Sequence, residues 1–252
     1  MRAALLLPIL ALLVLPAVAV AESNAPFGDA LSGCATPPAL AAPAQPLPAL
    51  RAALAGGGPI EILAVGSAST VGLEDGGHGQ SYVARMEAAL RAALPGRALR
   101  LTVRGGRGMT AAAMAALLET ELPGHAYRLV LWQTGTVEAV QGLPPAELRG
   151  ALDAGIARAR EAGVSLVLID PQFTRTLRDK TNVAAYRRIM EQAAAQPDAA
   201  LFHRFDLTEG WAREQKLDLE HVARPEREAA LQTLRACVGD ALARFVLAGA
   251  EK

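Results

Sequence analysis

From residue 59 onward the chain alternates short apolar runs with stretches of helical period, and this alternation restricts the fold more than any other feature. Strand-like runs fall at 60–65, 98–103, 127–132, 164–169 and 201–205. Helical patterns cover 81–94, 110–122, 145–162 and 183–196, and a last helix is expected over 225–247. Strands alternating with helices of this length form βαβ units, whose parallel sheet is covered on both faces. The expectation is a three-layer α/β/α sandwich around a five-stranded parallel sheet, in the order 2-1-3-4-5. Such sheets bind ligands at the carboxyl edge of their strands, and Gly66, Gly105, Gln133 and Asp170 should meet there.

The first twenty-one residues read as a secretory signal: Arg2, an apolar run over 3–20, and the small-x-small site Ala19-Val20-Ala21. An uncleaved anchor is the competing reading, since the run is long enough to span a bilayer. Leu31-Ser32-Gly33-Cys34 looks like a lipoprotein cleavage box, but Glu22, Ser23, Asn24 and Asp29 separate it from the apolar run. Cleavage after Ala21 leaves 231 residues with 24 basic and 25 acidic side chains. That balance favours neither nucleic acid nor an anionic membrane surface, and no second run could span a membrane. Residues 22–58 form a Pro/Ala/Gly-rich arm that either packs over the domain or hangs loose, and residues 59–250 form the domain itself. The expected location is periplasmic or secreted. In that setting Cys34 and Cys237 are expected to pair, with buried or free thiols as the alternative. Closing so long a loop contributes about 4–5 kcal/mol on the chain-entropy model.

The first strand ends in Gly66-Ser-Ala-Ser-Thr70, a glycine followed by small hydroxyl residues. Arg104-Gly-Gly-Arg-Gly-Met-Thr110 follows the second strand, and Gln133-Thr-Gly-Thr-Val-Glu138 the third. Asp218-Leu-Glu-His221 precedes the last helix. In this order the blocks resemble those of SGNH/GDSL-type hydrolases over about residues 59–246. The resemblance implies a flavodoxin-like SGNH-hydrolase fold, with His221 as general base and Asp218 orienting its ring. It implies Gly108 as an oxyanion donor, and it aligns Gly135 with the glycine of the third block.

Two positions depart from the pattern. Ala68 occupies the place of the attacking serine, and Val137 that of the asparagine whose amide supports the oxyanion. Losing one such donor typically costs about 10²–10³ in rate. Ser67 is the leading candidate for a shifted nucleophile and Ser69 the second, although both could simply cap the turn. Gln133 or Thr134 could supply a substitute donor. Asp170 either binds a substrate hydroxyl or caps a turn, and Trp132 and Trp211 belong to the core or to a pocket. His78, His125 and His203 are expected on the surface or in loops.

No phosphate loop, dinucleotide fingerprint or metal cluster occurs, so no cofactor is expected. Two functions compete. The first is an exported esterase or acylhydrolase acting on a small-molecule or glycan ester, such as an O-acyl group of an envelope glycan. The second is a catalytically degenerate domain of the same fold that binds a glycan or an envelope protein. Acyl transfer would use the same residues with a different acceptor.

Overall fold

The computed structural model describes residues 34–72, 80–214 and 217–252. The expected leader, the lipoprotein-like box up to Gly33, and His78 lie outside the described residues. Five strands, β1 (Ile60–Gly66), β2 (Leu99–Gly105), β3 (Tyr127–Gln133), β4 (Ser165–Ile169) and β5 (Ala199–Phe202), form one parallel sheet in the order β2-β1-β3-β4-β5. Both the architecture and the strand order are those expected from the alternation.

Helices cover both faces, and strand parity decides which side each residue serves. Ile62, Ala64, Leu129, Leu131, Val167 and Ile169 face α1 (Pro48–Ala55), α3 (Tyr82–Ala93) and α10 (Arg227–Glu251). Leu63, Val65, Val130, Trp132, Leu166 and Leu168 face α4 (Ala111–Glu121), α6 (Pro145–Glu161) and α8 (Val183–Ala194). Alternate residues of the inner strands therefore meet different cores, which is why β1, β3 and β4 read as almost continuous apolar runs, whereas the edge strand β2 carries Arg100, Thr102 and Arg104. Trp132 and Trp211 are both core residues; their indole N–H groups reach Met114 Sδ (3.2 Å) and the Ala35 carbonyl (2.9 Å).

The structure corrects the expected elements at the C-terminal end. β5 ends at Phe202, and residues 204–213 form α9 (Arg204–Arg213). Phe205, assigned to the strand by its apolar character, instead sits in the first turn of that helix and packs edge-on against Phe173. The last helix begins at Arg227, after a 3-10 turn at Arg224–Glu226 that contains Pro225, and it continues to Glu251. Three short helices carried no periodic signal: α2 (Ala68–Val71), α5 (Thr136–Gln141) and α7 (Arg175–Lys180).

The described part of the N-terminal arm packs on the sheet and on α10. The Ser165 hydroxyl accepts the Ala49 and Leu50 N–H groups at the start of α1, and Arg97 donates to the Ala53 and Leu54 carbonyls at its end. The Leu47 N–H donates to the Gly249 carbonyl (2.8 Å), and Cys34 is bonded to Cys237.

Gly155 on α6 lies against Trp132. A methyl group there would collide with the six-membered ring of the indole, which the core holds fixed. Gly155→Ala is expected to destabilise the protein by about 1–3 kcal/mol. Urea unfolding followed by tryptophan fluorescence would measure the loss.

Candidate active site

The strand order reverses between β1 and β3, because the chain leaves β1 for β2 on one side and returns to β3 on the other. At this switch point the carboxyl ends of two adjacent strands diverge and leave a crevice. The Gln133 side chain bridges it. Its Oε1 accepts the Ser67 N–H (3.1 Å), the Ser67 hydroxyl (2.8 Å) and the Thr70 hydroxyl (3.3 Å). The Ser67 backbone donor fixes the amide orientation, since a flipped amide would set N–H against N–H. The carbonyl end of Gln133 therefore faces Ser67. Gly66 is required beside it, because a methyl there would run into Thr70 Oγ1.

Ser67 precedes the single turn of α2, so Ser67, Ala68 and Ser69 all reach the wall of one cavity of about 710 Å³. Leu177 on α7 and Leu231 and Val238 on α10 supply apolar wall, and Tyr82, Thr136, Val140 and Arg204 also line it. Val140 is 65 % exposed. The floor is a polar chain. The Thr70 hydroxyl lies 3.0 Å from the Tyr82 hydroxyl, and the Arg204 guanidinium carbon is 5.3 Å from the Tyr82 ring centre. Arg204 Nη1 donates to Ser69 Oγ at 3.4 Å, and its Nε to the Asp170 carbonyl at 3.1 Å. Burial raises the Tyr82 phenol above its ordinary value, against a lowering pull from Arg204.

Asp170 is used inside the protein. Its carboxylate accepts the Phe205 N–H (2.8 Å) and Arg187 Nε (3.0 Å), which pins the end of β4 to the first turn of α9. Burial raises its carboxyl above the usual range, against the lowering influence of Arg187.

The loop before α10 forms a second cluster. Asp218 Oδ2 lies 2.7 Å from His221 Nδ1, so this carboxylate selects the tautomer with the proton on Nδ1 and leaves Nε2 as the basic nitrogen. Arg175 grips the same carboxylate with both Nη groups (2.8 and 2.7 Å). The Glu220 carboxylate accepts the Arg175 and Thr176 N–H groups at the start of α7. The hydrogen bond from Arg175, followed by that from His221, holds the Asp218 carboxyl well below the ordinary range.

The structure thus joins Ser67 to Gln133 and Asp218 to His221. Among the described residues, no hydrogen bond links the two pairs. His221 is 70 % exposed and is not part of the cavity wall, although the recess lined by Asp218 and Glu220 shares Gln172 and Thr174 with the cavity. Gly108 (φ 73°) lies exposed in the loop after β2. Gly135 (φ 88°) commits its N–H to Glu138 Oε2 (3.0 Å). The Thr134 hydroxyl is buried and has no hydrogen-bond partner among the described residues. Arg104 is taken by Glu121 (2.7 Å), His125 is exposed, and His203 precedes α9.

Three residues at the site escaped the sequence reading: Tyr82, Arg175 and Arg204. Buried Glu138 stands at the family's aspartate position and collects the Ala111 and Gly135 N–H groups, tying the second block to the third. A carboxylate fitted between two helix starts is held by charge-assisted hydrogen bonds from both. Its place in the third block was the signal for it. Arg204 and Arg175 carried none, because each acts through a partner far away in sequence.

A parallel sheet ordered in this way, with a hydroxyl cluster at the switch point and an Asp–His pair before the last helix, defines the SGNH/GDSL class of ester hydrolases. The chain belongs to the non-GDSL lipase-like family, whose model matches residues 33–252. Among solved structures it is similar to TesA, at 26 % identity and a TM-score of 0.54, covering 69 % of this chain and 94 % of that one. It is similar to AlinE4, described as an SGNH-hydrolase family esterase, at 26 % identity and 0.54, covering 67 % and 87 %. LAE5, an α/β hydrolase enzyme from the metagenome of Lake Arreo, Spain, shares the fold at 21 % identity and 0.56, covering 74 % and 98 %. No curated protein sequence matches the chain. The family name fits the first block, where Ser67 and Ala68 stand in place of Asp-Ser.

The Asp218 shift fixes the sign of a pH effect. A carboxyl whose folded-state pKa is lowered stabilises the fold above its unfolded value, and that contribution is lost as pH falls through the folded one. Arg175→Met should therefore cost most stability near neutral pH. The difference from the natural protein should shrink as pH drops below about 4. Urea unfolding of both proteins from neutral to strongly acid pH reads this directly; a difference that grows on acidification would contradict the assignment.

Proposed function

We propose that this chain is an exported ester hydrolase that binds its acyl substrate in the cavity at the switch point. The observation that carries the reading is the cavity wall itself. Hydroxyls from the turn after β1 meet apolar side chains from α7 and α10 there, with a formed Asp218–His221 pair in the adjoining loop. Ser67 is the attacking group in this reading. Its oxygen adds to the acyl carbon and its proton passes to His221 Nε2. The tetrahedral adduct then expels the alcohol, which takes that proton, and water releases the acid by the reverse transfers. His221 must turn inward on its Asp218 tether to do so. Gly108 and Thr134 are the oxyanion donors proposed to assist, and Gln133 orients the nucleophile. The apolar leader and the Cys34–Cys237 bond support export, and an O-acyl group on an envelope glycan is a substrate of suitable chemistry.

The second reading, a binding domain without turnover, is favoured by the methyl group of Ala68 at the aligned nucleophile position and by the outward exposure of His221.

Purified protein lacking residues 1–21 is expected to hydrolyse p-nitrophenyl acetate. His221→Ala and Ser67→Ala should each lower kcat/KM by about 10²-fold or more. A natural protein with no turnover above buffer, which gains it on Ala68→Ser with Val137→Asn, would establish the binding reading instead.

A further inference from the structure

The charges on the cavity wall are all of one sign. Lys180 on α7, Arg204 at the start of α9 and Arg235 on α10 line it, and among the described lining residues there is no aspartate or glutamate. The chain as a whole is balanced, with 25 basic and 25 acidic residues, so this is a local concentration.

Arg204 is the informative member. It is 2 % exposed, and among the described residues it makes no ion pair. The charge of Asp170 also favours the Arg204 cation, but its carboxylate is occupied by Arg187 and the Phe205 N–H, and it hydrogen-bonds Arg204 only through its backbone carbonyl. A guanidinium stays protonated even when buried, and a buried charge without a paired anion is costly. The remaining contacts are neutral: the Ser69 hydroxyl, at the long distance of 3.4 Å, and the face of Tyr82. Arg235 is half-buried on the α10 wall between Leu231 and Val238, and among the described residues it has neither a hydrogen bond nor an ion pair. Lys180 is exposed on the opposite wall, beside Leu177 and Thr181.

We propose that the substrate of this cavity is an anionic ester. An apolar portion lies against Leu177, Leu231, Val238 and Tyr82, and a carboxylate or phosphate group is received by Arg204, with Arg235 and Lys180 adding to the attraction. This rests on the reading of the cavity as an ester site and specifies which esters it takes. Arginine suits the task because its planar donor fork matches a carboxylate or phosphate.

The test compares mono-4-nitrophenyl succinate, which carries a free carboxylate, with its methyl ester, which does not. The natural protein should favour the anion about tenfold or more in kcat/KM, with the difference carried by KM. Arg204→Met should abolish the preference, and the double variant Lys180→Gln/Arg235→Gln should reduce it several-fold and weaken its dependence on salt. Equal rates for the two esters in the natural protein would overturn the proposal. So would an Arg204→Met variant that slows both esters equally through kcat, since that would make the residue a transition-state donor. If neither ester is turned over, the hydrolase reading fails and calorimetric titration decides the present one. Binding of monomethyl succinate but not dimethyl succinate, lost in Arg204→Met, upholds it, and equal or absent binding of the two refutes it. Should Arg204→Met fail to fold, the double variant decides in both assays, because its positions are not fully buried.

Discussion

The turn after β1 is tied to the carboxyl end of β3 by the side-chain oxygen of Gln133, which gathers one backbone donor and two hydroxyls from that turn. A buried carbonyl oxygen serving several donors is stable only while all of them stay in place, since any donor left without it would be stranded away from water. The turn is thereby kept at the lip of the crevice, and the Ser67 hydroxyl gains a defined direction. From the opposite side, Glu138 fastens the glycine turn of the third block to the start of α4. The first of these polar anchors joins two strands and the second joins two helix starts. Between them they set the shape of the site before any ligand is present.

The second half of the site is built on a different footing. The His221 loop is held by charge: Arg175 clamps Asp218, while Glu220 closes the start of α7. These contacts lie near solvent, where ion pairs are weak and are shared with water. A rigid hydroxyl turn thus lines the cavity, while the electrostatically tethered imidazole stands exposed in the adjoining loop. In the hydrolase proposed above, this division would let a substrate enter beside the base, because the rigid element is the one that needs exact placement.

Much of this was legible in the sequence. Apolar runs of strand length spaced by helical periods give the layers, and the usual doubly wound arrangement gives the strand order. The resemblance, block by block along the chain, singled out Ser67, Gln133 and the Asp218–His221 pair; the structure joins Ser67 to Gln133 and Asp218 to His221. What escaped was of two kinds. α2, α5 and α7 are too short to express a period, and α9 was hidden because its Phe205 extends the apolar run of β5. Arg204 and Tyr82 meet at the cavity floor from α9 and α3, and residues brought together by tertiary packing leave no local pattern. Gln133 was visible as a polar residue at a strand end, but whether its amide would present oxygen or nitrogen depended on the Ser67 N–H. That was knowable only from the fold.

The bond between Cys34 and Cys237 has a topological consequence. It encloses both anchors, the His221 loop and all of the described cavity wall but Val238 within one covalent circuit, and the Leu47–Gly249 hydrogen bond ties the segment after Cys237 back to that ring. A single backbone scission anywhere between the two cysteines would open the ring without detaching either fragment. The circuit can also close only once Cys237 has been made, after all five strands have left the ribosome.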